Sequence, residues 1–138
     1  PRLAPVTADA LELPFSTAQF DGVMVGWGVR NLTDLDAGLA ETARVMTPGA
    51  RLVILEMALP SRPWLRSIYQ FYFRRVLPRL GRLISKHRTA YTWLPESTQA
   101  FPGPAEFAHR LAAQGFVDVQ YRLLMGGVCA LYVGTRKA

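Results

Sequence analysis

The sequence predicts an α/β fold in which two parallel strands are joined by a helix and followed by a second helix and an antiparallel hairpin. Three observations carry this reading. Phe20 to Val29 and Arg51 to Met57 are mostly apolar and flank a segment of helical period. Leu52-Val53-Ile54-Leu55 is a continuous apolar run, the pattern of a strand covered on both faces in a parallel sheet. Near the end, an alternating stretch and an apolar stretch flank Gly126-Gly127.

Residues 1–21 hold turn signals and little periodicity. Val23-Met24-Val25 reads as a buried strand running into a Gly-rich end. Thr33 is placed to cap the next helix, with Asp36 three residues on in the manner of a capping box. Leu35, Leu39, Ala43 and Met46 share one helical face, and Pro48-Gly49 ends the helix. The stretch from about Pro63 to Lys86 reads as helical, rich in aromatics and interrupted by Pro78. Pro104 suits the first position of a further helix. Phe107, Leu111 and Ala112 form its inner face, and Gly115 stops it. From Phe116 to Leu124, Val117, Val119, Tyr121 and Leu123 face one way and Asp118, Gln120 and Arg122 the other. Val128 to Gly134 is more apolar, as expected if it inserts beside the βαβ pair. This order matches the C-terminal half of a Rossmann-like methyltransferase sheet, two parallel strands plus a hairpin with helices on both faces. Dimerisation is one way to complete it.

The 138 residues suffice for one domain with a sizeable core. Half the chain is apolar, which argues against disorder. It begins Pro1-Arg2-Leu3, so the natural start is expected to be missing. No basic-then-apolar leader is visible, and no apolar run reaches the roughly 18 residues of a membrane span. Cys129 is the only cysteine, which excludes an internal disulfide and a multi-cysteine metal site. It lies in the apolar run Val128 to Val133 and reads as a core residue. An intracellular, cytoplasmic location is expected.

The net charge of +6 is unevenly placed. Ser61 to Arg88 contains eight basic residues and no acidic one; the rest of the chain has eight basic and ten acidic residues. Residues 61–100 thus read as a basic, aromatic helical insertion. Such a segment suits lipid head groups, phosphates or nucleic acid. No nucleic-acid-binding motif accompanies it, which sets aside a nucleic-acid module.

Open parallel sheets bind ligands beyond the carboxyl ends of their strands. Two such ends are visible, Gly26-Trp27-Gly28-Val29-Arg30-Asn31 and Glu56-Met57-Ala58. Gly26 and Gly28 would let a flat ligand approach the backbone, and Arg30 and Asn31 supply donors just beyond. A tight strand-to-helix turn with a salt-bridged arginine explains the same residues equally well. Asp9-Ala10 reads as a polar turn, and Glu56 as a helix cap or salt-bridge carboxylate. His87 and His109 lack partners at metal-ligand spacing and read as solvent-facing. No nucleophile elbow, phosphate loop or zinc motif is present.

The same residues carry a resemblance. Asp9-Ala10-Leu11-Glu12-Leu13-Pro14-Phe15, Phe20-Asp21 and Gly28-Val29-Arg30-Asn31-Leu32-Thr33-Asp34 resemble the ubiquinone/menaquinone biosynthesis C-methyltransferase family. So do Pro48-Gly49-Ala50-Arg51-Leu52, Leu55-Glu56, Tyr91-Thr92-Trp93-Leu94-Pro95-Glu96-Ser97, Phe101-Pro102 and Gly126-Gly127-Val128-Cys129-Ala130-Leu131. The resemblance spans essentially the whole chain, and the Arg-Asn-Leu-Thr-Asp and Leu-Pro-Glu-Ser runs are its most specific parts.

The resemblance implies S-adenosylmethionine as cofactor and a polyprenyl quinol precursor, of menaquinone or ubiquinone, as substrate. Asp9 and Ala10 match the pair beside the cofactor's adenine. Gly26 matches a cofactor-contacting position that is often Ser or Ala, and Trp27 stands where Phe is common. Arg30 and Asn31 match the pair that faces the reacting centre. The family's Gly-rich loop and ribose-binding acid belong upstream of Pro1, so residues 1–138 correspond to the C-terminal portion of one methyltransferase domain. By itself such a portion is expected to be inactive and to be a homo-oligomer rather than a monomer. The aromatic residues Trp64, Leu65, Ile68, Tyr69, Phe71, Tyr72 and Phe73, with the surrounding arginines, suit peripheral contact at the inner membrane face; a helical cover over the sheet with a solvated basic face is the alternative. A related methyltransferase acting on another lipid or small molecule, or a non-catalytic fragment binding anionic partners, are the competing functions.

Overall fold

The computed structural model describes residues 4–76 and 97–138. Pro78, Arg79, Arg82, Lys86, His87, Arg88 and the run Tyr91 to Glu96 lie outside the described residues, as does the expected extent of the basic helix beyond Val76. The elements are β1 (Phe20–Gly26), a 3-10 turn (Val29–Asn31), α1 (Leu35–Val45), β2 (Met46–Met57), α2 (Pro63–Phe71) continued by a π-helical turn (Tyr72–Val76), α3 (Pro104–Ala113), β3 (Phe116–Leu124), a second 3-10 turn (Met125–Gly127) and β4 (Cys129–Arg136). The strands form one sheet in the order β1-β2-β4-β3. β1 and β2 are parallel, β4 is antiparallel to β2, and β3 is antiparallel to β4. The last strand therefore inserts beside the βαβ pair, as its apolar sequence requires.

Helix α1 starts one residue later than expected. The cap is Asp34, not Thr33, and its carboxylate accepts the Ala37 N–H at 3.0 Å. Asp36 does not close a capping box; it pairs with Arg110 of α3 at 3.0 Å. Leu39 and Ala43 are buried and Leu35 packs against them, as the period dictates. Pro48-Gly49 does not end the helix, which passes directly into β2 at Met46. Phe20 pairs with Met46 and Gly22 with Arg51, so Pro48 and Gly49 loop out within the ladder. Gly49 carries the positive φ (+81°) that this excursion needs.

Strand β3 also departs from simple alternation. Between Val117 and Gln120 the register with β4 shifts by one residue, and Asp118 adopts φ +51°. The bulge brings Phe116 onto the inner face with Val119 and puts Val117 outside, 39% exposed. In α3, Pro104 is the first residue, Phe107 and Leu111 are buried, and Gly115 follows with φ +88°. Ala112 is exposed, because the apolar arc needs only one residue per turn where the helix lies on the sheet.

Among the described residues the helices do not cover both faces. α1 and α3 pack on one face, where Leu39, Ala43, Phe107 and Leu111 join Leu52, Ile54, Phe116, Ala130 and Tyr132 in a single core. The Phe107 and Tyr132 rings meet edge to face at 4.7 Å. α2 contributes no buried residue. On the opposite face Val53, Leu55, Leu131 and Val133 are part-exposed. Met24 is 83% exposed. Among the described residues β1 pairs only with β2, so it is the exposed sheet edge expected of a C-terminal portion, and Met24 lies on its uncovered face and not in the buried strand that Val23-Met24-Val25 suggests.

Candidate active site

The carboxyl ends of β1 and β2 lie side by side, with Gly26 paired to Leu55. The Trp27 N–H continues this ladder onto the Leu55 carbonyl at 2.9 Å. The chain then reverses through Trp27, whose φ of +59° is a left-handed conformation rare for a bulky residue. Gly28 to Asn31 follow in a tight turn that carries Arg30 back over β2. There Arg30 meets Glu56. Its terminal nitrogen Nη1 lies 2.7 Å from Glu56 Oε1 and 2.7 Å from the Trp27 carbonyl. The Arg30 backbone N–H donates to Glu56 Oε2 at 3.3 Å, and the Met57 N–H to Oε1 at 2.8 Å.

Glu56 is completely buried and the Arg30 side chain is 11% exposed. Burying a carboxylate costs several kcal/mol unless charge and donors compensate it. A guanidinium and two backbone N–H groups do so here. Arg30 Nε is buried and meets no hydrogen-bond partner among the described residues. Asn31 is exposed beside it, its amide 3.5 Å from the Trp27 carbonyl.

The other expected site residues share α1 as support. Asp9 and Ala10 lie in an exposed turn where Asp9 Oδ1 accepts the Leu11 N–H at 2.9 Å. Gly38 of α1 is hemmed in by Leu11 and Leu32, the second of which follows Asn31, so the Asp9 turn and the Arg30 turn rest on the same spot. Further along, Glu41 and Arg44 fasten residues 13–17 to α1. Glu41 accepts the Leu13 N–H at 2.7 Å, and Arg44 donates to the Phe15 carbonyl at 2.9 Å. The hydrogen bond from Arg44 holds the Glu41 carboxyl below the usual carboxylate range, against the effect of burial.

A side chain on Gly26 would meet nothing within 4 Å, so that position is open to a ligand. Trp27 is 41% exposed beside it. Gly28 differs: a Cβ there would press on Val25 at 3.2 Å, so its glycine serves the turn itself. An accessible carboxylate, an open glycine and an exposed aromatic wall fit part of an adenosyl cofactor. Among the described residues no three His, Cys, Asp or Glu side chains gather as a metal site.

A family model described as the ubiE/COQ5 methyltransferase family matches residues 2–136. The chain belongs to this family. It is 48% identical over 129 residues to a demethylmenaquinone methyltransferase of Thermus thermophilus, covering 94% of this chain and 58% of the relative. It is 45% identical to the enzyme of that name from Deinococcus radiodurans, over 94% of this chain and 53% of the relative. The chain thus spans little more than half the length of these relatives. Its fold matches a SAM-dependent methyltransferase structure from Thermotoga maritima, with a TM-score of 0.62 at 15% identity, over 96% of this chain and 63% of that one.

In the sequence Arg30 and Glu56 stand at two separate strand ends. Their separation of 26 residues hides a contact that exists only because the strands are parallel and adjacent. Tyr69 is likewise, in the sequence, one more member of an apolar surface. Helix α2 and the π-helical turn after it instead divide their apolar residues: Trp64, Ile68, Phe71 and Tyr72 are exposed, whereas Leu65 and Tyr69 turn inward. The Tyr69 hydroxyl is buried. Its pKa is pushed up to about 12, chiefly by burial, with Cys129 adding to the rise and Arg30 opposing it. Burial, and then the nearby Glu56 carboxylate, likewise raise the Cys129 thiol. Cys129 is a core residue, as its apolar surroundings predict.

Removing Glu56 would leave Arg30 buried without its counter-charge. Glu56→Ala is expected to cost about 3 kcal/mol of stability or more, read by urea unfolding, and Glu56→Gln less because an amide oxygen still accepts. Equal effects of the two variants would show that volume, not charge compensation, holds this turn.

Proposed function

We propose that the intact protein transfers a methyl group from S-adenosylmethionine to a ring carbon of a polyprenyl quinol, with demethylmenaquinol as the substrate favoured by the names of its relatives. One observation carries the assignment of roles: an arginine locked over the strand ends by a buried carboxylate. The cofactor, when bound, supplies the electrophilic methyl, so the chain has little covalent chemistry to perform. Its residues have to align ring and methyl and to favour the ionised hydroxyl that makes the ring carbon nucleophilic. Arg30 serves the second task. A guanidinium is always charged and stabilises the developing oxyanion instead of acting as a simple base. Asn31 orients the quinol, Glu56 holds Arg30 in place, and Asp9, Ala10, Gly26 and Trp27 receive the cofactor.

In the intact protein Arg30→Lys is expected to lower kcat roughly a hundredfold, the scale of losing an oxyanion donor, with a smaller effect on cofactor affinity; the 138-residue chain alone should give no turnover in the same assay. An unchanged kcat with weakened cofactor binding would place Arg30 in the cofactor site instead.

The exposed row Trp64, Ile68, Phe71 and Tyr72 supports peripheral contact with an anionic membrane. These residues lie on one side of α2 amid a run of arginines without acidic residues. No described helix is long and apolar enough to cross a membrane. Flotation with phosphatidylglycerol vesicles is expected to carry the protein, and Trp64→Ser with Phe71→Ser to release it. Loss of binding in salt alone, with no effect of these variants, would reduce the contact to charge.

The edge of β1 supports self-association of the 138-residue chain. Its outer side pairs with no described strand, and it lacks the lysines and prolines that blunt natural edges. Light scattering over a dilution series is expected to give a dimer or larger species; a monomer at micromolar concentration would refute it.

A further inference from the structure

A cleft of about 470 Å³ opens between α2, the start of α3 and the exposed edge of β3, where Leu123 pairs with Ala130 and Ala130 in turn with Glu56. Its size falls in the range of roughly 300–1,000 Å³ typical of small-molecule sites. Met57, next to Glu56 in β2, and Arg66 of α2 both line it. The remaining lining mixes the apolar Phe101, Ala105 and Leu123 and the ring of Tyr121 with the polar Ser61, Thr98, Gln99 and Glu106. Behind the surface runs a row of rings. Phe101 touches Phe107 at 4.9 Å, Phe107 touches Tyr132 at 4.7 Å, and Tyr121 lies 6.0 Å from Tyr132. This row is anchored in the core, so the cleft has a firm aromatic floor. Tyr121 and Leu123 remain 45% and 38% exposed, which leaves apolar surface uncovered on an edge strand.

We infer that this cleft takes the apolar tail of the quinol, running from the Arg30–Glu56 centre along Phe101 and Leu123 toward the exposed side of α2. The inference rests on the proposed function and assigns a tail-binding and tail-selecting role to residues outside the reacting centre. A prenyl chain carries no hydrogen-bonding groups, and Phe101, Ala105 and Leu123 offer it apolar surface. The chain must also leave the ring at the reacting centre, and the cleft reaches β2 at Met57, one residue from Glu56. Its far part must reach the membrane, and Arg66 stands on the helix whose opposite side carries Trp64 and Ile68.

The test uses the intact protein, a quinol with a short prenyl tail, and the same ring without a tail. Ala105 is exposed at the start of α3, so Ala105→Trp narrows the cleft without touching the core. The preference for the tailed over the tail-less quinol, as a ratio of kcat/KM, is expected to fall tenfold or more, the scale of an apolar pocket contact. Leu123→Gln, also at a partly exposed position, is expected to act in the same direction. A tail carrying a photoreactive diazirine is expected to label peptides containing Phe101 to Glu106 and Tyr121 to Leu124. An unchanged ratio in both variants, or label confined to Trp64 to Tyr72, would overturn the inference. So would absence of label because another part of the intact protein fills the cleft. If neither quinol is methylated but the cleft still takes the label, the proposed function fails and the tail site stands.

Discussion

A carboxylate with no access to water sits at the end of the central strand β2, and the site is arranged around satisfying it. Glu56 lies on the inner face with Leu52 and Ile54, where the core would otherwise be apolar. The charge is tolerable only because Arg30 and two backbone N–H groups converge on it. That convergence forces the turn after β1 to fold back over β2. It also explains the left-handed Trp27, whose carbonyl must point at the Arg30 guanidinium. The strain at Trp27 and the burial of Glu56 are thus two sides of one constraint. Together they hold an arginine rigidly where open parallel sheets receive ligands.

The sheet itself is lopsided. α1 and α3 seal one face with a continuous aromatic and aliphatic core, tied across the top by Asp36 and Arg110. The opposite face and the β1 edge have no such cover among the described residues. This is the geometry of half an architecture that works in two layers of helix around a sheet. It fits a chain that spans little more than half the length of its relatives.

Helix α2 links the site to its surroundings. It contributes nothing to the core, yet it is strongly two-sided: Leu65 presses near Gly126 of the β3–β4 turn and Tyr69 buries its hydroxyl, while larger apolar residues face out. A helix whose exposed side is the more aromatic one gains stability only when that side is covered. The proposed membrane contact would cover the outward aromatics, and the proposed tail site lies on the helix's other side.

The sequence by itself determined the strand-helix-strand order, the apolar faces of Leu39, Ala43, Phe107 and Leu111, the hairpin at Gly126-Gly127, and the family through its Arg30-Asn31-Leu32-Thr33-Asp34 run. These are local patterns, set by period, turn chemistry and short motifs. It could not show that Glu56 answers Arg30, because a contact across 26 residues arises from strand pairing and not from spacing. Nor could it show that Met24 faces outward, since an apolar strand reads the same whether or not a helix covers its second face. The bulges at Pro48-Gly49 and Asp118 were hidden for a related reason: each extra residue is tolerated only by the register of a particular partner strand. The division of α2 into an inward Tyr69 and an outward Trp64, Ile68 and Phe71 was likewise decided by what the helix packs against. Tertiary structure settled these points because each depends on which surfaces find a neighbour, and that is a property of the whole sheet.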